Sequence, residues 1–278
     1  MKKILFLVVS FICSLAVGAQ DSLNIDSVVS DSINSTNITP KTFSTIVIEN
    51  ATKGEADSAY IRNDYASAIQ LYESLLKKGE SADIYYNLGN SYFKAESIAK
   101  AILNYERALL LKPGDSDIRF NLELAQSKTV DKVDSIPQFF LVTWIQSLIN
   151  SMGVDAWATS GIVCFILMIG FLFLFIFTNK VIIKKIGFIT CLLMLVFVVV
   201  SNSFASIQKD ALLNRTSAIV ISPSVTIKST PNESGTDLFI LHEGRKVNIT
   251  DNSMKEWKEI KLEDGNIGWI STDDIEII

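Results

Sequence analysis

The residues with the clearest capacity for chemistry are few in this sequence. His242 is the only histidine, and Glu243 follows it, as in the zinc-binding pattern of metalloproteases. That pattern needs a second histidine four residues after the first, so that both imidazoles face one ion, and Lys246 occupies this position. The sequence contains no glycine-rich phosphate loop, and no motif pairs a Ser, Cys or Thr nucleophile with a base. We therefore expect a protein without enzyme activity, metal or cofactor.

Cysteine usage and net charge argue against two further classes of protein. The three cysteines, Cys13, Cys164 and Cys191, all lie in apolar runs, so no disulfide framework holds the polar parts of the chain together. The 278 residues carry a formal net charge of −5. A nucleic-acid-binding protein needs a basic face to neutralise phosphates. We therefore expect no nucleic-acid partner.

An internal repeat dominates the polar region before the long apolar runs. Residues 63–73 and 96–106 resemble each other at an offset of 33 residues (101 − 68), which aligns Ala68 with Ala101 and Tyr72 with Tyr105. A period of about this length is typical of solenoids built from helical hairpins. The pattern predicts helical repeats over residues 49–128.

The second copy, residues 82–115, resembles the tetratricopeptide repeat. Its small and aromatic residues stand at the offsets of that repeat, namely at Tyr85, Leu88, Gly89, Tyr92, Ala101, Tyr105, Ala108 and Pro113. Gly89 and Ala101 are small enough to let two helices touch, and Pro113 ends the second helix. A weaker first copy covers residues 49–81, and residues 117–126 form a third helix that caps the repeats.

The resemblance implies a binding groove lined by the first helix of each pair. The residues predicted to face this groove are Tyr86, Asn87, Asn90, Phe93 and Lys94. One interpretation is that they bind a peptide or a partner helix. The other is that so few repeats leave a shallow groove that the protein's own side chains fill. Asp117 and Asn121 stand where a clamp for a C-terminal carboxylate would need basic residues, which argues against that ligand.

The N-terminus has the order of a bacterial secretory signal peptide. Met1-Lys2-Lys3 is basic, residues 4–17 are apolar, and Val17-Gly18-Ala19 offers slim residues before a cleavage site. We predict a signal peptide at 1–19, with an uncleaved signal anchor as the alternative. Residues 20–48 are rich in Ser, Asn, Thr and Asp and predict a flexible linker.

Two apolar runs, residues 156–178 and 186–206, are long enough to cross a membrane as helices. The segment between them contains Lys180, Lys184 and Lys185 and no acid, which places it in the cytoplasm by the positive-inside rule. We therefore predict a two-helix transmembrane hairpin in the bacterial inner membrane, with both flanking parts in the periplasm. Core helices of a water-soluble protein are the alternative.

A shorter amphipathic stretch, residues 137–152, precedes the first predicted span. Its apolar residues, which include Phe139, Phe140, Trp144 and Leu148, fall roughly on one helical face. Such a helix lies in the membrane interface, where tryptophans such as Trp144 and Trp157 are enriched. Packing beneath the helical repeats is the alternative.

Residues 214–278 show six short β-type runs separated by turns, with a tight hairpin turn at Asp264-Gly265 or Gly265-Asn266. The segment resembles a bacterial SH3-like domain, a small all-β barrel, through Val225-Thr226-Ile227-Lys228, Trp257 and Gly268-Trp269-Ile270. Barrels of this kind bind peptides or cell-wall fragments on exposed aromatic residues. Trp257 is the candidate for such a surface, and packing in the core is the alternative.

The order of these parts resembles the BatE family of the Bacteroides aerotolerance cluster. Three runs contribute to the resemblance, residues 85–90, 101–109 and 118–125. It implies an inner-membrane protein that works with Bat proteins carrying von Willebrand A-type domains and with a MoxR-type ATPase. We expect a multidomain scaffold that presents its interaction modules to the periplasm. The alternative is a cell-wall sensor whose barrel binds peptidoglycan.

Overall fold

The computed structural model of the protein describes residues 51–131 and 139–278. The predicted signal peptide at 1–19 and the predicted linker at 20–48 lie outside these residues. Within the described ranges the chain forms eight α-helices and then an antiparallel sheet of seven strands, with a 3₁₀ turn at Thr272–Asp274.

The first five helices form two pairs and a closing helix, and each packs against the next. They are α1 (Lys53–Ile61), α2 (Tyr65–Leu76), α3 (Ala82–Lys94), α4 (Ile98–Leu111) and α5 (Ser116–Gln126). Polar residues mark their beginnings: Thr52 forms a capping box with Glu55, and the carboxylates of Asp64 and Asp115 accept backbone N–H bonds from the first turns of α2 and α5.

The turn inside each helix pair has the same geometry at positions 33 residues apart (96 − 63). Asn63 and Glu96 both have a φ of 62°, in the left-handed region. The next amides, those of Asp64 and Ser97, donate to carbonyls in the last turn of α1 and α3 at 3.0 and 2.9 Å. Such a turn closes a helix by satisfying its last carbonyls. The repeat seen in the sequence is therefore also a repeat in backbone conformation.

The closest approach of α3 and α4 occurs at Gly89. A Cβ atom added at this glycine would lie 2.7 Å from both Cδ1 and Cε1 of Tyr105, so only glycine leaves room for the ring at this position. Tyr105, Ile102 and Ala101 are all buried in the core that these helices share. The Gly89–Tyr105 contact therefore sets the distance between the two helices of the repeat.

Three apolar helices follow: α6 (Phe140–Ile149), α7 (Val154–Phe177) and α8 (Val181–Leu213). Of these, α7 and α8 are long and apolar enough to cross a membrane. Helix α7 begins two residues before its predicted start and ends one residue before its predicted end, whereas α8 extends beyond both predicted bounds. Lys184 and Lys185 therefore lie in α8 rather than in a connecting loop. Lysine is a good helix former, so a helix need not begin where an apolar run begins.

Small residues line the contact between α7 and α8. The hydroxyls of Ser160 and Ser201 lie 3.0 Å apart, and Ser201 also donates to the carbonyl of Trp157 at 2.5 Å. Near the other end, a Cβ on Gly187 would lie 3.3 Å from the carbonyl oxygen of Phe171. Close backbone approach and hydroxyl bonds of this kind are typical of helix pairs in apolar surroundings.

The short helix α6 is tied to this pair at its C-terminal end. Trp157 donates from Nε1 to the carbonyl of Ile149 at 3.0 Å, and Gln208 donates from Nε2 to the carbonyls of Ile149 and Met152. Trp157 is thus buried, whereas the side chain of Trp144 is 60 % exposed. No residue of α6 is buried.

The C-terminal residues form one sheet with the strand order β3-β2-β6-β5-β4-β1-β7, in which every neighbouring pair is antiparallel. The strands are β1 (Ser217–Val220), β2 (Ser224–Lys228), β3 (Asp237–His242), β4 (Lys246–Asp251), β5 (Trp257–Lys261), β6 (Ile267–Ser271) and β7 (Ile275–Ile277). In β4, Val247 and Ile249 are buried while Asn248 and Thr250 are exposed, the alternation of a strand with one covered face. Sequence analysis did not identify β7, which has only three residues and pairs with the distant β1.

The sheet and the helical repeats share a hydrophobic core. In β1, Ala218 and Val220 belong to the core of the sheet, whereas Ile219 is buried among the side chains of the repeats. Ile278 is buried in the same repeat core. Because successive residues of a strand point to opposite faces, one short strand contributes to both cores. The repeats and the sheet are therefore packed against each other.

Charged groups surround this shared core. The ion pairs that join the repeats to the later part of the chain are Glu80–Arg215 (2.5 Å), Arg107–Glu276 (3.1 Å), Glu106–Lys246 (2.7 Å) and, when the histidine is protonated, Asp131–His242 (2.8 Å). Arg215 contacts both carboxylate oxygens of Glu80, which is the fork geometry that orients an arginine best.

We expect Gly89→Ala to destabilise the repeats, because the added methyl group must displace the ring of Tyr105. Overpacking of this kind costs roughly 1–3 kcal/mol. The matched control is Gly54→Ala in α1, where a Cβ would meet no atom within 4 Å. That substitution should stabilise the helix by up to about 1 kcal/mol. Hydrogen exchange of amides in α1, α3 and α4 measures both effects, and equal protection in the two variants would contradict the close contact.

Glu80→Gln is expected to weaken the junction in a pH-dependent way. The hydrogen bonds from Arg215 hold the pKa of the Glu80 carboxyl below its ordinary value of 4.5. The ionised Glu80 carboxylate therefore makes its full contribution to stability above about pH 4.5. This contribution is lost as the pH falls through the lower pKa that Glu80 has in the folded protein. Because the pair is partly exposed, the wild type should exceed the variant by only about 0.5 kcal/mol at neutral pH.

Thermal unfolding over a pH series measures this difference between wild type and variant. The control is Glu263→Gln, which alters an exposed carboxylate in the turn between β5 and β6. If the Glu80→Gln difference persisted unchanged in acid, the Glu80–Arg215 bond would not be its source.

Candidate functional site

The five residues predicted to face the binding groove all belong to α3, the first helix of the matched repeat. We call the surface formed by α1, α3 and α5 the first-helix groove. A pocket of about 280 Å³ lies in it, lined by Asp57, Tyr60, Ile61, Tyr72, Asn87 and Asn90. The spacing of three residues along α3 brings Asn87 and Asn90 to the same side of the helix.

Asn90 lies at the centre of a hydrogen-bond network inside the groove. Its Oδ1 accepts from the Tyr105 hydroxyl at 2.7 Å and from Nδ2 of Asn121 at 3.1 Å. Asn121 also donates to the hydroxyl of Tyr86 at 2.8 Å. Burial raises the pKa of the Tyr105 phenol, so the hydroxyl keeps its proton and donates. The acceptor of Asn90 is thus already used by side chains of α4 and α5.

Asn87 takes part in a second network at the α1 side of the groove. It donates from Nδ2 to the carboxylate of Asp57 at 3.3 Å, and Tyr72 donates its hydroxyl to the same oxygen at 2.5 Å. Burial and the neighbouring carboxylate raise the pKa of Tyr72, which keeps its hydroxyl a donor. Sequence analysis missed Asp57, because its partners lie 15 and 30 residues away.

The other two predicted residues differ from each other in exposure. The ammonium of Lys128 lies 4.3 Å from the ring centroid of Phe93, which is a cation–π distance. Lys94 is exposed in the last turn of α3, where a positive charge complements the helix dipole. Of the five predicted residues, Lys94 is therefore the one most accessible to a partner.

The eight positions predicted to support the repeat lie in or near its core. Seven of them are buried, Tyr85, Leu88, Gly89, Tyr92, Ala101, Tyr105 and Ala108, and Pro113 is half-buried where α4 ends. Two of the buried tyrosines place their hydroxyls on acids at the surface: Tyr85 donates to Glu80 at 2.9 Å and Tyr92 donates to Glu73. Each ring thus fills the core while its hydroxyl stays bonded.

Trp257 begins β5 and is half-buried. It pairs in register with Ser271 of β6, and two residues further on Glu259 pairs with Trp269, which is also half-buried. Trp257 is therefore packed over part of its surface and exposed over the rest.

Comparison with protein-family models identifies one repeat in this chain. Residues 82–115, which contain α3 and α4, match the model of the tetratricopeptide repeat. Comparison with curated proteins gave no match to this chain. The structure adds α1, α2 and α5 around the matched repeat, and such repeats stack to create extended binding surfaces.

We expect Asn90→Ala to destabilise the repeats before it affects any partner, because Tyr105 and Asn121 would each lose an acceptor. Leaving a buried hydroxyl without its partner costs roughly 1–3 kcal/mol. Lys94→Ala is the control and should stay within about 0.5 kcal/mol of wild type, since its side chain is exposed. Urea unfolding of both variants provides the measurement. If Asn90→Ala were as stable as the control, the network would not support the fold.

Proposed function

From a tetratricopeptide repeat and two long apolar helices in one chain, we propose a membrane-anchored scaffold. The repeats and the C-terminal sheet, which we take to be an SH3-like domain, hold partner proteins on one side of the bacterial inner membrane. The observation that carries this proposal is the position of both polar parts at the same end of the α7–α8 pair.

The surface of the α7–α8 pair supports membrane insertion. Helix α7 has 24 residues, which is about 36 Å at 1.5 Å per residue, and exceeds the ~30 Å of hydrocarbon in a bilayer. Its buried residues are Trp157 and Gly161, while large side chains such as Phe173 and, in α8, Leu193 are 58 % and 65 % exposed. Contiguous apolar surfaces of this size are unfavourable in water.

Charge at the two ends of the pair supports an orientation. Trp157 contacts Ser201 at the end next to the repeats and the sheet. The opposite end carries Lys180, Lys184 and Lys185. By the positive-inside rule this lysine end faces the cytoplasm and the polar parts face the periplasm. The signal peptide predicted from the sequence leads independently to the same orientation.

In the proposed arrangement, helix α6 lies on the bilayer surface. Its polar residues Thr143, Gln146 and Ser147 line a cavity of about 480 Å³ between the repeats, the end of α8 and the sheet. Its apolar side chains, among them Phe140 and Trp144, are exposed. An amphipathic helix with this division of faces lies in the membrane interface, with the apolar face toward the acyl chains.

The resemblance to the BatE family supplies the class of partner. We propose that the repeats hold another Bat protein with a von Willebrand A-type domain, in a complex served by a MoxR-type ATPase. Lys94 marks the accessible part of the first-helix groove, and the C-terminal sheet provides a second contact surface.

A cell-wall sensor is the second candidate, because Trp257 offers a half-exposed aromatic ring for a peptidoglycan fragment. The structure determines how this candidate should be tested. Ile219 and Ile278 are buried against the repeats, so an isolated C-terminal fragment would expose them to water. Trp257→Ala in the full chain is therefore the informative variant.

A photocrosslinking residue at Lys94, in bacterial cells that express the full chain, is expected to give a discrete adduct with a membrane or periplasmic protein. The exposed position of Lys94 lets the reactive group reach a partner without disturbing the Asn90 network. The matched control places the same residue at Asn179, between α7 and α8. This position should not give the same adduct, because it would lie on the cytoplasmic side.

An adduct common to both positions would contradict the proposed orientation. The absence of any adduct at Lys94, together with retention on isolated wall material that Trp257→Ala abolishes, would favour the cell-wall sensor. Mass spectrometry of the adduct identifies the partner directly.

A further inference from the structure

A second cleft lies between α2 and α4 and shares no lining residue with the pocket of the first-helix groove. Its volume is about 390 Å³. Tyr85, Leu88 and Tyr92 of α3 contribute to its lining between the two helices, and Glu276 of β7 adds a side chain from the sheet. We call this space the α2–α4 cleft.

Two buried polar atoms in this cleft have no hydrogen-bond partner. They are Oδ1 of Asn104 and Nε of Arg107. Asn104 is only 3 % exposed, and its Nδ2 is already used in a bond to the carbonyl of Lys100 at 2.8 Å. Arg107 uses its terminal nitrogen for Glu276 and for the carbonyl of Ile277, which leaves Nε–H free. Buried groups without partners are costly and are therefore rare.

The two atoms are complementary to a peptide backbone. Asn104 offers an acceptor and Arg107 offers a donor, three residues apart on α4 and therefore on one side of the helix. A residue in an extended chain presents its own N–H and C=O toward the same neighbour, as in the bonded pairs of an antiparallel sheet. Such a residue would donate to Oδ1 of Asn104 and accept from Nε of Arg107.

Charge at the cleft indicates which side chain the ligand carries. Lys77 and Lys100 line the cleft, and within the described residues neither has a carboxylate at ion-pair distance. Lys100 lies 5.4 Å from the ring centroid of Tyr92. Of the two acids in the cleft, Glu276 pairs with Arg107, whereas Glu73 accepts from the neutral Tyr92 and keeps its charge. Lys77 and Lys100 outnumber Glu73, so the net charge of the cleft is positive.

We propose that the α2–α4 cleft binds an extended segment of a partner protein that carries an acidic side chain. The backbone of one ligand residue bonds to Asn104 and Arg107, and the acid contacts Lys77 or Lys100. This site is additional to the first-helix groove, and it does not depend on whether α7 and α8 cross a membrane.

The test uses the full chain, purified in detergent, and a phage-displayed library of random 12-residue peptides as the probe. We expect the selected peptides to be enriched in Asp and Glu. A fluorescent copy of one selected peptide is then titrated against variants. Asn104→Leu removes the free acceptor, and Arg107→Lys keeps a charge for Glu276 while removing Nε–H. Each should weaken binding about tenfold or more, the range for a lost bond to a charged or buried group.

The control is Lys94→Ala in the first-helix groove, which should leave the affinity for this peptide unchanged. Asn104→Leu should unfold at the same temperature as wild type or higher, since it removes a buried oxygen that lacks a partner. Loss of binding with an intact fold therefore assigns the site to the cleft. Wild-type affinity in both Asn104→Leu and Arg107→Lys, or a selection without peptides that bind, would overturn the proposal and leave membrane anchoring untouched.

Discussion

The packing of Ile219 into the core of the helical repeats is the contact on which the rest of the architecture depends. This residue follows α7 and α8 in the chain, yet its side chain is buried among residues that precede them. The polar parts on either side of the α7–α8 pair are thereby held together at one end. A chain that crossed the membrane once, or three times, between these parts could not form this core, so the packing requires an even number of crossings.

The same constraint explains why several ion pairs join distant parts of the sequence. Glu80 and Arg215 are 135 residues apart, and Glu106 and Lys246 are 140 residues apart. Isolated pairs at a protein surface contribute little free energy. Here they surround a buried apolar contact and fix the orientation of one part on the other. Their role is specificity of docking, while the buried isoleucines supply the larger part of the stability.

Much of this fold could be predicted from local pattern. Helices, turns and strands form according to the residue pattern within short segments of the chain. Such patterns include the repeat that aligns Ala68 with Ala101, the small residue at Gly89 and the alternation of apolar and polar residues in the strands. The partners of Asn90 and Asn104 could not be predicted in that way, because each depends on side chains from other helices. Sequence analysis predicted that Asn90 faces a groove and left open whether a partner or the protein's own side chains fill it, and in the structure Tyr105 and Asn121 use its acceptor. Asn104 appeared only as one member of a repeat, and its free oxygen becomes visible only in three dimensions.

The shared core also has a consequence for the order of events during biosynthesis. The repeats emerge from the ribosome first, but strand β1, whose Ile219 completes their core, emerges only after α7 and α8 have been made. Until then the repeats retain an uncovered apolar surface, and such surfaces invite aggregation or capture by chaperones. Completion of the repeat core is therefore coupled in time to the synthesis of α7 and α8, so a chain that ends before β1 would leave an incomplete core that quality-control proteases can recognise.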